Sequence, residues 1–244
     1  MKESLSNGGG GGFVESRISV SADEILTVQV GCGGKFYNSR NKSVGDHGGY
    51  PGGGKGGLSV MGRGTCSGGG HSSILQSGTV IIAAGGGGGG GSTDYCCAHG
   101  GVGGGTSGGN GSSPITPNTA KTVSKNYFEP IGCKSSSCYK RQYKENIVAN
   151  VDYGFAPNAS YDRPATEGNG GNFLNPGFGG YSGNYVVMEN LISSIALSGS
   201  YGFGGNGADG KEGGGGGGSG FFGGGGGGSG VDGTGGGGGN IFSF

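Results

Sequence analysis

The sequence predicts a mostly irregular and β protein. Its expected architecture is a bundle of packed polyglycine-II helices braced by short antiparallel β-strands, with little or no α-helix. Three observations predict it: glycine supplies 72 of 244 residues, short β-patterned apolar runs interrupt the glycine, and glycine recurs at every third position in parts of the C-terminal tail. In an extended helix with three residues per turn, every N–H and C=O points outward, and glycine lets such helices approach closely enough to bond to one another.

The apolar composition explains why the main chain must carry the fold. Only 30% of the residues are hydrophobic, there is no Trp, and there are 3 Met. A layered core of large side chains is hard to build from this inventory, because buried apolar area is the main offset to chain entropy. A flexible, disordered linker is the alternative. The apolar runs and the six cysteines favour a folded chain.

Charge and hydropathy exclude several classes of protein. The net charge is zero and charged residues make up 12%, so we expect no nucleic-acid surface. No apolar span is long enough for a transmembrane helix. Residues 1–5 lead straight into glycine, without an apolar signal region. We therefore expect an excised domain, a mature form or a protein exported by another route.

The six cysteines favour disulfides, because small chains with little apolar surface often need such crosslinks. Adjacent cysteines form a strained ring if they bond to each other, so Cys96 and Cys97 are each expected to find a distant partner, with Cys32 and Cys66 as candidates. Zinc is the alternative, but adjacent ligands fit its usual spacing poorly. We predict neither a metal nor a cofactor. The candidate disulfide cysteines are Cys32, Cys66, Cys96, Cys97, Cys133 and Cys138.

Residues 1–112 form the first glycine-rich part. Apolar residues alternate in runs 13–20 and 25–30, which predicts a β-hairpin with one buried face. The run 79–84 is continuously apolar and lies between Gly78 and Gly85. It predicts a strand that is covered on both faces.

Residues 113–166 are poor in glycine and rich in Tyr, Lys and Pro. They predict an insertion, either a long loop or a small subdomain, clasped through Cys133 and Cys138. Residues 138–151 could form a short helix. Residues 167–244 are the second glycine-rich part, which completes one polyglycine-helix lattice and has strand candidates at 185–188 and 191–197.

The tail predicts how the lattice is built. Its glycines keep a three-residue frame, and each shift of frame predicts a turn between neighbouring rods. Non-glycine residues such as Phe203, Lys211 and the pairs 221–222 and 231–232 are expected at turns or on the outer face. Phe221, Phe222, Ile241, Phe242 and Phe244 either cap the bundle against the strands or form a sticky surface. The predicted lattice glycines are Gly204, Gly207, Gly210, Gly213, Gly216, Gly227, Gly230, Gly233, Gly236 and Gly239.

Three landmarks resemble a widespread glycine-rich domain family. They are residues 9–34, where glycine leads into two β-patterned runs, the strand and glycine run 79–91, and the closing segment 202–239. The family includes the glycine-rich ectodomain region of anaplastic lymphoma kinase and leukocyte tyrosine kinase, and many protist surface proteins; a looser likeness extends to glycine-rich phage tail-fibre adhesins. The resemblance implies a polyglycine lattice, an extracellular setting and a structural or binding role. The insertion has no counterpart in the family.

No motif predicts catalysis. Residues 49–55 nearly match a phosphate-binding loop, but Gly56 stands where Ser or Thr is required. The three histidines, His47, His71 and His99, all lie in glycine-rich surroundings with no patterned base or carboxylate beside them. We predict that the chain is not an enzyme.

The sequence therefore predicts a non-enzymatic, extracellular structural or adhesive module that displays loops for partner binding or self-assembly. Its partner is expected to be a protein or glycan surface, or copies of itself in a homo-oligomer or filament, at the cell or virion surface. The alternative is a phage tail-tip adhesin that recognises a bacterial surface receptor. Tyrosine offers large contact area at small entropy cost, although these tyrosines could instead pack the insertion onto the scaffold. The candidate contact residues are Tyr127, Tyr139, Tyr143, Tyr153 and Tyr161.

Overall fold

The structure is a computed structural model. It describes residues 7–37, 47–59, 64–91, 98–104, 107–112, 165–182, 195–210 and 213–229, together with the backbones of short strands at 127–129, 140–142 and 242–243. The strands are β1 (Leu26–Gln29), β2 (Phe36–Tyr37), β3 (Thr65–Cys66), β4 (Ser72–Gln76), β5 (Thr79–Ala84), β6 (Tyr127–Glu129), β7 (Lys140–Gln142) and β8 (Phe242–Ser243).

The main sheet is antiparallel, with the strand order β1-β4-β5-β8. A two-residue loop joins β4 to β5, and both of its residues have positive φ, 48° at Ser77 and 80° at Gly78. Two positive φ angles in succession match the right-handed twist of a tight hairpin. The first glycine-rich part therefore contains a β-hairpin, formed by β4 and β5.

Strand β5 has the predicted bounds. Its centre contains two consecutive buried residues, Ile82 and Ala83, which are 8% and 1% exposed. Because neighbouring side chains on a strand point to opposite faces, both faces of β5 are covered there. The prediction from its continuous apolarity is confirmed.

The predicted hairpin of runs 13–20 and 25–30 is wrong. The turn between the runs is present, since the Glu24 N–H donates to the Ser21 carbonyl over 3.2 Å. However, β1 pairs with β4, in a register that sets Val28 opposite Ile74, and residues 13–20 form no strand. Exposure alternates along residues 13–19, between exposed and half-buried positions, but the alternation ends at Val20, which is exposed like Ser19. The predicted buried face is wrong as well, because Val20, Val28 and Val30 are 58%, 67% and 72% exposed.

The insertion contains a short antiparallel pair, β6 with β7, in which Phe128 lies opposite Arg141. Lys140–Gln142 is thus a strand, and the predicted helix over 138–151 is wrong at these residues. Cys133 and Cys138 lie in the connection between the two strands, outside the described residues. The strand candidate 185–188 also lies outside them. Of the candidate 191–197, the described residues 195–197 are not in a strand.

The interior of the described part contains almost no large side chains. Its buried apolar residues are one isoleucine and five alanines, and the largest side chains that are fully buried are Thr65, Ser219 and Ser229. No helix occurs among the described residues, so the mostly irregular and β character is confirmed. Within the same residues, no helix is long and apolar enough to cross a membrane.

Candidate interaction surface

Three glycine-dense stretches are the most deeply buried part of the chain. Residues 85–91, 213–220 and 223–229 are each buried at every position; we call them the first, second and third central runs. The first is bonded to the second, as in Gly89 N–H to the Gly216 carbonyl (2.7 Å), and the second to the third, as in Gly227 N–H to the Gly215 carbonyl (2.8 Å). Main chain therefore fills the place that apolar side chains fill in an ordinary core.

Successive N–H groups of the third central run donate in three different directions, and the pattern repeats every three residues. Gly223 and Gly226 donate to residues 200 and 197, Gly224 and Gly227 donate to the second run, and residues 225 and 228 donate to residues 169 and 166, over 2.8–2.9 Å. Its carbonyls accept from two further segments, residues 177–180 and 205–208. Five neighbours thus surround one run. Each is bonded at a three-residue step.

The two glycine-rich parts of the chain are bonded to each other. Gly54 donates to the Gly217 carbonyl over 2.9 Å, and Gly111 donates to the Gly168 carbonyl over 3.0 Å. Outer segments on one side of the central runs include residues 52–58, 66–70 and 203–210, and those on the other side include 7–12, 98–103 and 108–112. These hydrogen-bonded segments, which we call the lattice from here on, therefore come from parts of the chain that are far apart in sequence.

Backbones in this lattice approach so closely that a side chain has no room. A Cβ added at Gly89 would collide with the Cys66 carbonyl oxygen, and one added at Gly217 would collide with the Gly224 oxygen. At Gly10, by contrast, an added Cβ meets nothing within 4 Å. Glycine is required at the bonded faces of the lattice and not at its open surface.

Outer segments bury every third residue and display the others. Residues 165, 168 and 171 are buried, and so are 177 with 180, 196 with 199, and 205 with 208. The side chains between them face outward or lie half-buried. At two such positions they also bond to the neighbouring segment, since Asn206 Oδ1 accepts from the Lys55 N–H and Asp209 Oδ1 from the Leu58 N–H.

Two adjacent outer segments display a cluster of large apolar side chains, which we call the apolar edge. The segments 177–181 and 195–200 are bonded directly, Gly199 N–H to the Gly177 carbonyl over 2.9 Å. Both also bond to Gly226, through the N–H of Gly180 and the carbonyl of Leu197, which sets their side chains at one level. The edge consists of Phe178 (71% exposed), Tyr181 (66%), Ile195 (80%) and Leu197 (53%).

Phe221 and Phe222 lie at the turn between the second and third central runs, which is one of the two placements expected of them. The rings of Phe221, Phe222 and Tyr201 contact one another edge to face, with 5.0–6.1 Å between ring centroids. Tyr201 lies in a neighbouring turn, next to Gly202. Both phenylalanines are half-buried. They cover the end of the lattice by packing on a neighbouring turn. The side chains of Ile241, Phe242 and Phe244 lie outside the described residues.

His71 and Ser219 form the one close histidine–hydroxyl pair in the described part of the chain. His71 Nδ1 lies 3.0 Å from the Ser219 Oγ, and the same hydroxyl accepts from the His71 N–H (2.7 Å) and donates to the Pro51 carbonyl (2.7 Å). Ser219 is fully buried. Burial lowers the pKa of His71. The hydroxyl thus joins the sheet to the second central run and is closed to a substrate.

The described cysteines do not form the predicted crosslinks. Cys32 and Cys66 are both free thiols, and burial raises the pKa of Cys66. The other four cysteines lie outside the described residues, so disulfides among them stay a prediction. No group of three or more metal-binding side chains occurs within the described ranges.

The predicted lattice glycines occupy bonded positions wherever the structure describes them. Gly213, Gly216 and Gly227 belong to central runs, while Gly230, Gly233, Gly236 and Gly239 lie outside the described residues. Three others donate at a three-residue step to one parallel segment over 2.8–3.0 Å: Gly204 to the carbonyl of Gly52, Gly207 to that of Lys55 and Gly210 to that of Leu58.

The structure does not describe the side chains of the predicted contact tyrosines. Tyr127 begins β6, and nothing further is described of its side chain. Tyr139, Tyr143, Tyr153 and Tyr161 lie outside the described residues. Phe178 and Tyr181 were missed as candidates, although the spacing Gly-Phe-Gly-Gly-Tyr over 177–181 signals two outward side chains on one face.

Comparison with protein-family models, with curated proteins and with solved structures gives no match. The resemblance to the glycine-rich ectodomain family therefore stays a prediction.

Proposed function

We propose that this protein is a non-enzymatic structural and adhesive module, a polyglycine-II lattice that holds a rigid apolar surface for a protein partner outside the cell. The observation that carries the proposal is the apolar edge: four large apolar side chains stand exposed on two segments that the lattice fixes side by side.

The hydrogen-bond pattern supports polyglycine-II helices as the building unit. A helix with three residues per turn sends successive N–H groups in three directions, and the amides of residues 223–228 donate in that rotation. The same period explains why outer segments bury every third residue. Cα–H···O contacts, about 0.5–1 kcal/mol each, add to the N–H···O bonds where glycines face carbonyls.

The apolar edge has the composition of an adhesive surface. Soluble monomers rarely expose large contiguous apolar patches without a function, and aromatic side chains are enriched where proteins bind. Phe178 and Tyr181 are three residues apart on one segment, so their rings project from the same face about 9 Å apart. Because the lattice fixes the backbone, little further conformational entropy is lost on binding.

The surroundings of the histidines support a non-catalytic role. Ser219 is buried and its hydroxyl already donates to the Pro51 carbonyl. His99 Nδ1 accepts from the Asn7 N–H over 3.1 Å, on an outer segment. The imidazoles of His71 and His99 thus each connect two segments of the lattice, His71 through Ser219 and His99 through Asn7.

Adsorption onto an alkyl-terminated monolayer, measured with a quartz crystal microbalance, tests the apolar edge. We expect the double variant Phe178→Ser/Tyr181→Ser to adsorb at least about tenfold more weakly than the wild type, because each apolar side chain removed is worth roughly 1.5–3 kcal/mol on burial. Both positions face outward, so thermal unfolding should be unchanged.

The matched control is Phe13→Ser, which removes a side chain that is 80% exposed and lies away from the apolar edge. It should adsorb like the wild type. Equal adsorption by all three proteins would show that the apolar edge is not the adhesive surface.

A further inference from the structure

Four Asn-Gly pairs occur in the chain, and the structure describes every one of them. The side chain of such an asparagine is open to attack by the nitrogen of the glycine that follows it, because glycine has no Cβ to hinder the approach and its backbone turns freely. Since all four pairs share this chemistry, their surroundings decide which of them reacts. The four asparagines are Asn7, Asn110, Asn169 and Asn206.

Solvent exposure of the side chain does not separate the four pairs. Asn7, Asn110 and Asn169 are exposed, and Asn206 is half-buried. The reaction requires the glycine nitrogen to reach the asparagine Cγ, and for this the peptide plane between the two residues must rotate. Hydrogen bonds to the glycine N–H, to the asparagine carbonyl or to the asparagine side chain oppose that rotation.

The two middle pairs are each held by two such bonds. The Gly111 N–H donates to the carbonyl of residue 168 over 3.0 Å. The Gly170 N–H donates to Asn110 Oδ1 over 2.9 Å, so that one bond holds the side chain of one pair and the attacking nitrogen of the next. The carbonyl of Asn169 also accepts from the N–H of residue 225 over 2.8 Å.

The last pair is held by three bonds. The Gly207 N–H donates to the Lys55 carbonyl over 2.9 Å, and Asn206 Oδ1 accepts from the Lys55 N–H over the same distance. The Asn206 carbonyl accepts from the N–H of residue 197 over 2.9 Å. Both reacting groups of this pair are therefore fixed to a neighbouring segment.

The first pair is held by one bond. The Asn7 carbonyl accepts from the Gly100 N–H over 2.9 Å. Within the described part of the chain, the Gly8 N–H has no acceptor and the Asn7 side chain has no hydrogen bond. The Asn7 N–H donates to His99 Nδ1 over 3.1 Å, but this bond lies outside the peptide plane that must rotate. Attack at Asn7 thus breaks fewer bonds than attack at any of the other three.

We propose that Asn7 is a site of spontaneous deamidation whose product loosens segment 7–12 from the lattice. The Gly8 nitrogen attacks Asn7 Cγ and forms a new N–C bond. The side-chain nitrogen leaves as ammonia with the proton that the Gly8 nitrogen gives up, and a five-membered cyclic imide remains. Water then opens the imide at one carbonyl to aspartate or at the other to isoaspartate. Water is the only co-reactant, and nothing is oxidised or reduced.

Either product disturbs the anchoring of segment 7–12. Both place a negative charge on residue 7, and isoaspartate also adds one carbon to the main chain. Asn7 is bonded to His99 and to residue 100, while Gly9 and Gly12 donate to the carbonyls of residues 88 and 85. The added carbon changes the spacing between these two sets of bonds. Isoaspartate therefore cannot keep both sets, and the segment loosens at the bonds beside residue 7.

Peptide mapping by mass spectrometry tests the site on the folded full chain, incubated at mildly alkaline pH. Asn7 should deamidate at least about fivefold faster than each of the other three asparagines, because each further hydrogen bond is worth about that factor. In guanidinium chloride, where the lattice is absent, the four rates should converge. Equal rates in the folded chain, or the same ranking in denaturant, overturn the proposal.

Gly8→Ala tests the route of the reaction. An added Cβ lies 3.5 Å from the Gly88 oxygen, an ordinary contact, so the fold should be kept. Deamidation of Asn7 should slow about tenfold, because a Cβ restricts the rotation that brings the nitrogen to the side chain. The control Gly10→Ala adds a methyl where nothing lies within 4 Å and should leave the rate unchanged. An unchanged rate in Gly8→Ala would show that water attacks the side chain directly, which overturns the route.

Amide exchange of Gly9 and Gly100 measures the loosening. Both amides should exchange at least about fivefold faster in the isoaspartate form, since each loses a bond of ordinary strength. The amide of Gly216, in the second central run, should not change. Asn7→Asp carries the negative charge without the added carbon, so its effect should be smaller. Unchanged exchange at Gly9 and Gly100 in the isoaspartate form overturns the loosening.

Discussion

Strand β5 and the first central run follow one another in the chain, yet they are held in different ways. Strand β5 has two neighbours in the plane of the sheet, β4 and β8. Ile82 and Ala83 fill the space above and below that plane. The first central run is bonded to four segments arranged around it, so no space is left for side chains. The change occurs at Ala84, where the apolar sequence gives way to glycine.

The comparison shows that a buried methyl group has opposite effects in the two regions. In β5 the methyl of Ala83 is buried and contributes to stability. In the run, a methyl at Gly89 would displace the carbonyl oxygen of Cys66, which accepts a hydrogen bond from the Gly216 N–H. Hydrophobicity stabilises the sheet, whereas the absence of side chains stabilises the lattice.

Reciprocal substitutions test this difference most strongly. We expect Gly89→Ala to destabilise the protein by on the order of 3 kcal/mol, because the clash is with main chain on an element that is itself bonded. Ala83→Gly should cost about 1–2 kcal/mol through lost burial and greater backbone entropy. Chemical denaturation followed by circular dichroism measures both.

The control for these variants is Gly10→Ala, which adds a methyl where nothing lies within 4 Å. Its effect should be within about 0.5 kcal/mol of zero. If Gly89→Ala cost no more than Ala83→Gly, the distinction between the two regions would be lost.

A smaller change in stability is expected when the pH is lowered, through His71, which lies where the sheet meets the lattice. Burial lowers the pKa of His71 below its ordinary value of 6.5, so the folded state favours the neutral imidazole. The resulting stability is fully present above the unfolded-state pKa and is lost as the pH falls through the lower folded-state pKa. The thermal midpoint should therefore fall between neutral pH and mildly acidic pH, and this fall should be smaller in His71→Asn. An identical pH profile in both proteins would contradict the assignment.

Much of the fold could be predicted from local patterns. Thr79–Ala84 is identified as a strand because an apolar run of that length between two glycines suits a strand covered on both faces. The turn at Phe221 and Phe222 is one of the two placements that the sequence predicts for the non-glycine residues of the tail. The partner of β1 could not be predicted, because β4 begins with two serines beside a histidine and its apolar centre is only two residues long.

The sequence could predict neither which segments are neighbours in the lattice nor where the apolar edge lies. An unbroken glycine run fits every three-residue frame, so the sequence does not state which face bonds to which segment. The register comes from the turns and from contacts between distant segments. For the same reason Phe178 and Tyr181 become a surface only because segment 177–181 lies at the outside of the lattice, next to residues 195–200.

Amide hydrogen exchange of the second and third central runs tests the central claim most directly. If main-chain bonds between neighbouring segments form the interior, the bonded amides of Gly214, Gly216, Gly217, Ser219 and residues 223–228 should be among the slowest to exchange in the protein, since their exposure requires the lattice to open. Exchange of these glycine amides at the rate of an unstructured chain would contradict the account.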